Sequence, residues 1–242
     1  MSASAAAILA LLNVVEAERE RRSADPGLNA RVAALKAFQQ RRFSHTYADL
    51  LASSRYGAVA RFFLDELYGP SDFTRRDEQF ARMVPSMVRL FPSEIVATVA
   101  TLAELHASSE TFDTAMGEQL EDERIAASDY IRAWQRVGRA PDRERQIALT
   151  LSVAAGLDRL TRKPLLSRSL LLMRGPAQAA GLSELQRFLE TGFDTFRAMQ
   201  GAQEFIALVG ARERALAAAL FAAGAQGSDE ASSMERALRS LP

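Results

Sequence analysis

The 242-residue sequence predicts an all-α fold, a single globular bundle of about nine to eleven helices. Three observations predict it. Apolar residues recur at helical spacing nearly throughout. Gly and Pro fall between the periodic segments, and no convincing run alternates at the β period. The segment Ile147–Leu157, IALTLSVAAGL, carries no charge over eleven residues, so it needs other helices around it. That need favours one bundle over an open solenoid.

Helices are expected over 4–22, 27–52, 56–68, 74–91, 93–117, 122–137, 142–162, 165–174, 182–200, 202–223 and 229–240. The first opens on the Ala-rich Ala5–Leu12, and Ala215–Ala223 closes the tenth. Such small-residue faces serve either packing within the chain or a subunit interface. In the second helix Val32, Leu35, Phe43, Tyr47 and Leu50 share one face. Gly69-Pro70 stops the third, because Gly accepts a left-handed cap and Pro cannot continue the ladder. Thr74 with Asp77 has capping-box spacing, with hydroxyl and carboxylate both serving free amides at the positive helix end. Ser183 with Gln186 and Ser232 with Glu235 repeat it. Phe80, Met83, Val84, Met87 and Phe91 form an apolar face, and Pro85 within it should kink or split that helix. Gly138–Asp142 is the expected linker, and Gly175-Pro176 a second stop. Leu182, Leu185, Leu189, Phe193 and Phe196 make a third stripe, with Gly192 in its middle leaving room for a neighbouring backbone. The domain is expected to span 1–224, and 225–242 to be a mobile tail able to hold a short helix.

Composition excludes several classes. With no cysteine there is no disulfide framework, thiol nucleophile or thiolate metal site. Thirty basic and thirty acidic residues give no global field for nucleic acid. The apolar run Ala3–Val15 has no preceding cation and is followed by Glu16 and Glu18, the wrong charge order for a secretory signal. No later apolar run reaches the ~18 residues of a membrane span. A cytoplasmic protein is therefore expected. Lys36 and Lys163 are the only lysines; with the abundant alanine, the arginine-rich usage points to a GC-rich bacterial genome. Phosphate-loop, dinucleotide and nucleophile-elbow motifs are absent. Glu-x-x-His is absent too, and Glu118–Glu123 lacks calcium-loop spacing, so no metal site or catalytic residue is assigned.

Charge is uneven. Residues 19–42 carry a net +5 and residues 104–123 a net −7, while 161–175 hold four basic side chains and no acidic one. These blocks are solvated faces or surfaces that steer a protein partner or a second copy.

Of the two histidines, His45 points away from its helix's apolar face and is read as exposed. His106 lies within the stripe of Ile95, Val99 and Leu102, near Ser109. It is either a hydrogen-bonded core histidine or an axial haem ligand in a globin-like pocket. Arg212 lies among Phe205, Val209 and Leu216, and Glu66 beside Phe62 and Phe63. Each reads as part of an internal salt bridge, one option being a bond between the two, or as part of a pocket for an apolar, anionic small ligand; Arg212 reads alternatively as an arginine whose stem is buried while its head reaches water.

The densest signature is Arg61–Asp77, RFFLDELYGPSDFTRRD. Its residues Phe62, Phe63, Tyr68, Asp72, Phe73, Arg75, Arg76 and Asp77 build either a structural corner, with Tyr68 packed on Phe73, or an interaction surface. With Phe188–Phe205, FLETGFDTFRAMQGAQEF, it resembles a family of uncharacterised bacterial helical proteins of similar length. The resemblance supplies no activity. The leading expectation is a non-enzymatic helical interaction or scaffold protein that self-associates as a dimer or binds a protein partner. The alternatives are haem binding through His106 and small-ligand binding near Arg212.

Overall fold

Twelve helical segments and no strand are found among the residues that the computed structural model describes, 4–66, 73–223, 238, 241 and 242. They are α1 (Ala5–Ser23), α2 (Pro26–Thr46), α3 (Ala48–Ala52), α4 (Gly57–Glu66), α5 (Thr74–Leu90), α6 (Ser93–Gln119), α7 (Ala127–Val137), α8 (Ala140–Thr161), α9 (Pro164–Leu172), α10 (Arg174–Ala179), α11 (Ser183–Ala198) and α12 (Gln203–Ala222). The fold class is as predicted.

Two expected helices are broken by one residue. Tyr47 separates α2 from α3, because its ring packs on Phe43 and its hydroxyl reaches inward to Glu213 at 2.7 Å. Met173 separates α9 from α10, so Gly175-Pro176 is not the stop expected of it; the pair lies in the first turn of α10, where proline is tolerated. α7 starts five residues later than expected, where Asp129 accepts the Ala126 amide at 2.9 Å. α5 continues unbroken through Pro85, which sits on its exposed side. Gly138 and Arg139 take positive φ (63° and 59°) and form the expected linker between α7 and α8.

Two expected capping boxes are not built. Thr74 is already helical, the N-cap position is Phe73, and Asp77 turns inward to Arg19 and His106. Gln186 likewise donates to the Leu170 carbonyl and to Glu190 rather than capping α11. Gly69-Pro70 and Ser232 with Glu235 lie outside the described residues.

α6, about 40 Å long at 1.5 Å per residue, is the axis of the bundle; α1, α2, α7 and α8 pack along it. α8 is in turn covered by α6, α11, α12 and α9, as the uncharged Ile147–Leu157 requires. Gly192 faces the Phe62 ring, a side chain and not a backbone, 2.9 Å from where a Cβ would stand. Three buried clusters form the core. Phe38, Met116, Tyr130, Trp134 and Leu220 make the first. Phe43, Tyr47, Phe63, Phe196 and Phe205 make the second. Ile8, Leu12, Val84 and Val96 make the third. Both Ala-rich segments thus pack within the chain: Ile8 and Leu12 in the third cluster, Leu216, Leu220 and Ala223 in the first. Leu241 is buried in that first cluster as well, so the end of the expected tail is anchored; residues 224–237 lie outside the described set. No helix among the described residues is long and apolar enough to cross a membrane.

The opposite charge blocks meet inside the molecule. Arg21 pairs with Glu118, Arg22 with Glu110, and Lys36 with Glu110 and Asp113, which ties α1 and α2 to α6. Three side chains of each block are used in these pairs.

Candidate functional site

A cavity of about 200 Å³ lies among the three clusters, with walls from most of the helices. For scale, an engineered cavity of ~150 Å³ in another protein holds benzene. Along α6 its lining runs from Val99 to Asp113, a span of about 20 Å at the helical rise. The 3.6-residue period brings His106, Ser109, Glu110 and Asp113 to the cavity side of α6, and Lys36, Gln39 and Arg42 to that of α2. These make a polar wall. Ile147 and Leu151 of α8, Leu185 and Leu189 of α11, and Val209 and Leu216 of α12 make an apolar one. Leu189 of this lining is 41% exposed.

Nearly every charge on the polar wall has a partner. Glu110 accepts from Arg22 at 2.6 Å and Lys36 at 2.7 Å. Burial alone would raise its carboxyl, but Lys36 and Arg22 more than offset this and hold it at about 2. Asp113 accepts from Gln39 at 3.0 Å and lies 3.7 Å from Lys36; burial dominates there and pushes its carboxyl up. Glu213 takes Arg42 at 2.5 Å. Asp77 accepts from Arg19 at 2.6 Å and lies 2.8 Å from His106 Nε2. Burial would raise the Asp77 carboxyl, and the His106 bond, Arg76 and Arg19 bring it down to about 2.

Arg143 is the exception. It is 4% exposed and enters no ion pair among the described residues. Its guanidinium lies 3.6 Å from the Phe112 ring centroid and 4.0 Å from that of Trp134. One terminal nitrogen donates to Gln146 at 3.2 Å, the other meets Met116 Sδ at 3.1 Å, and Nε has no acceptor. Burial holds this guanidinium below its ordinary value, at about 10. The neighbouring Trp134 indole N–H is also buried without an acceptor. Both residues line the cavity. Each such donor left unmade costs about 1–3 kcal/mol, more when charged. Two buried donors thus stand without acceptors in residues that line the cavity.

The residues singled out from sequence fall in different places. His106 lines the cavity, and Asp77 satisfies its Nε2. His45 is exposed as expected. Arg212 and Glu66 do not meet. Arg212 makes a two-pronged pair with Asp49 at 2.7 Å on each arm and donates to the Thr46 carbonyl, away from the cavity. Glu66 lines the cavity and is held by Arg187 at 2.7 Å and Arg76 at 3.6 Å. The described residues of the aromatic signature are mostly covered. Phe62 and Phe63 are core residues, and Arg76 is buried between the rings of Phe73 and Phe188. Of that set only Arg75, paired with Glu184, stands well into solvent; Tyr68 and Asp72 lie outside the described residues.

Sequence reading missed Arg143, Trp134 and Lys36. Arg143 sits one turn before the uncharged run, on the same face as Ile147 and Thr150, which is a legible mark of burial. Lys36 is one of two lysines in an arginine-rich chain, and Trp134 is the sole tryptophan.

Residues 18–227 match the model of a family described as Domain of unknown function (DUF8198). No curated protein and no solved structure matches.

Proposed function

The chain belongs to the DUF8198 family, and we propose, from its cavity, that it is a binding protein for a small organic anion. The head, a carboxylate or a similar oxyanion, sits at Arg143 and Trp134. The extended, mostly apolar body lies along α6 towards Leu185 and Leu189. One observation carries this reading: a buried arginine with no carboxylate at ion-pair distance, only the field of Asp113, stands beside an indole N–H without an acceptor, on the wall of a cavity. An unpaired buried charge is expensive, and an anionic ligand removes the expense. The anion site expected at Arg212 thus moves to Arg143, since Asp49 already occupies Arg212.

Calorimetric titration with straight-chain carboxylates and their matching alcohols tests it. A charge-assisted bond at Arg143 should favour each carboxylate by about ten- to a hundredfold over its alcohol. Arg143→Met should make the two equal. Native mass spectrometry of freshly purified protein should show added mass. Bare chain mass together with no heat from any carboxylate defeats the proposal. A haem reading would need iron at His106, whose Nε2 is held by Asp77 at 2.8 Å. A Soret band after haem supplementation, lost in His106→Ala, would replace the anion by haem.

A further inference from the structure

α9 is exposed in a way that no other helix is. None of its described side chains is buried. Leu165, Arg168, Ser169 and Leu172 share its outer face at 100° per residue. Leu165 is 75% and Leu172 79% exposed, and Leu171 and Met173 extend the apolar surface at its end. Ordinary surfaces scatter such residues singly. The inner side is fixed: Gln186 donates to the Leu170 carbonyl at 2.7 Å, and Arg197 donates to Ser167 Oγ at 2.9 Å. Lys163 is bonded to Glu94 and Arg174 to Glu190, which anchors both ends of the helix. Leu90 and Phe91, both exposed, precede Glu94 by four and three residues and add apolar surface near the Lys163 end.

Charge decides what covers this face. Of the four cations in 161–175, Arg162, Lys163 and Arg174 are paired with Asp158, Glu94 and Glu190, whereas Arg168, between the two leucines on the outer face, enters no ion pair among the described residues. A two-fold contact between copies would set Arg168 patches against each other. A nine-residue helix also offers on the order of 150 Å² of footprint, against about 800 Å² per partner in a stable dimer. An anionic lipid surface has neither problem. Leucines enter the boundary between headgroups and acyl chains while the Arg168 head stays at the phosphates. We infer that the outer face of α9, with Leu165, Arg168 and Leu172 at its centre, docks this protein on a membrane surface rich in anionic lipid.

Flotation with phosphatidylcholine vesicles, with and without phosphatidylglycerol, tests it. The full-length protein should float with the anionic vesicles, weakly with neutral ones, and less at high salt. Leu165→Ser with Leu172→Ser should cut the bound fraction about tenfold, and so should Arg168→Glu. Both variants change exposed side chains, and an unchanged circular dichroism melt will show that they fold. Arg143→Met should float like the wild type, which separates membrane docking from ligand binding. Failure to float with anionic vesicles, or floating that ignores these substitutions, overturns the inference. A concentration-dependent dimer that Leu172→Ser turns into monomer would assign the face to a second copy instead.

Discussion

Arg22 and Glu110, 88 residues apart in sequence, meet at 2.6 Å in the buried seam between α1 and α6. The same guanidinium donates to Thr114 at 2.8 Å, and the same carboxylate takes Lys36. Removing one partner of a buried pair strands the other charge, which costs about 3–5 kcal/mol. Glu110→Gln strands Arg22 and leaves Lys36 only the longer contact to Asp113 at 3.7 Å. It should lower the thermal midpoint by on the order of 10 °C in a chain of this size. Scanning calorimetry checks this. A loss under about 1 kcal/mol, the scale of a solvated pair, would mean that water reaches this seam.

Acid should unfold the protein in a defined window. The Glu110 and Asp77 carboxyls are held at about 2 in the fold, against ordinary values of about 4.3 and 3.9 in an unfolded chain. Folded values below unfolded ones mean stability that is present above about pH 4 and lost as pH falls towards 2. Asp113, raised by burial, runs the other way and offsets part of the loss. Urea midpoints measured from pH 6 to pH 2 should hold steady, then fall steeply below about pH 4. The double variant Asp77→Asn with Glu110→Gln should start lower and flatten that fall.

What was legible in the sequence is what depends on local period. The stripe Val32, Leu35, Phe43, Tyr47 and Leu50 is buried throughout. The stripe on α11 is buried except at Leu189, which lines the cavity. Partner choice across the bundle was not legible. Asp77 has the spacing of a helix cap, yet His106, 29 residues on, takes its carboxylate. Arg212 lies on an apolar stripe, yet reaches Asp49 at its rim. The charge blocks were visible as blocks; that Arg21, Arg22 and Lys36 pair with Glu118, Glu110 and Asp113 follows only from α1, α2 and α6 lying side by side. Arg143 carried a signal in its phase with Ile147, but its lack of a carboxylate is a property of the packed state.

Arg143→Met should leave the empty protein as stable as before, or more so by about 1–4 kcal/mol, because a buried charge without a partner is replaced by a side chain of similar length. The Phe112 and Trp134 rings that sandwich the guanidinium can pack on a thioether instead. A structural arginine would show the opposite sign. Chemical denaturation of delipidated wild type and variant checks this. A loss of more than about 2 kcal/mol would give Arg143 a packing role in the fold and weaken its assignment as a ligand group.

Of the glycines described, Gly117 of α6 leaves the least room for a side chain. A Cβ there would stand 2.4 Å from Val32 Cγ2 and 3.2 Å from Leu28 Cδ1 of α2. The first of these is closer than real Cβ atoms come, so Gly117→Ala must push α2 away from α6. Overpacking of this kind costs about 1–3 kcal/mol. Lys36 and Gln39 lie on α2 one and two turns past Val32, so the shift would also loosen their bonds to Glu110 and Asp113. Val32→Ala removes the obstructing methyls. Alone it should cost about 0.5–2 kcal/mol as a cavity; combined with Gly117→Ala it should be more stable than the sum of the two single losses predicts. A double-mutant cycle measured by urea unfolding checks the coupling, expected at about 0.5–3 kcal/mol for residues in contact. Strict additivity would mean that α2 and α6 do not approach closely at Gly117, and that the polar wall of the cavity is not pinned by that crossing.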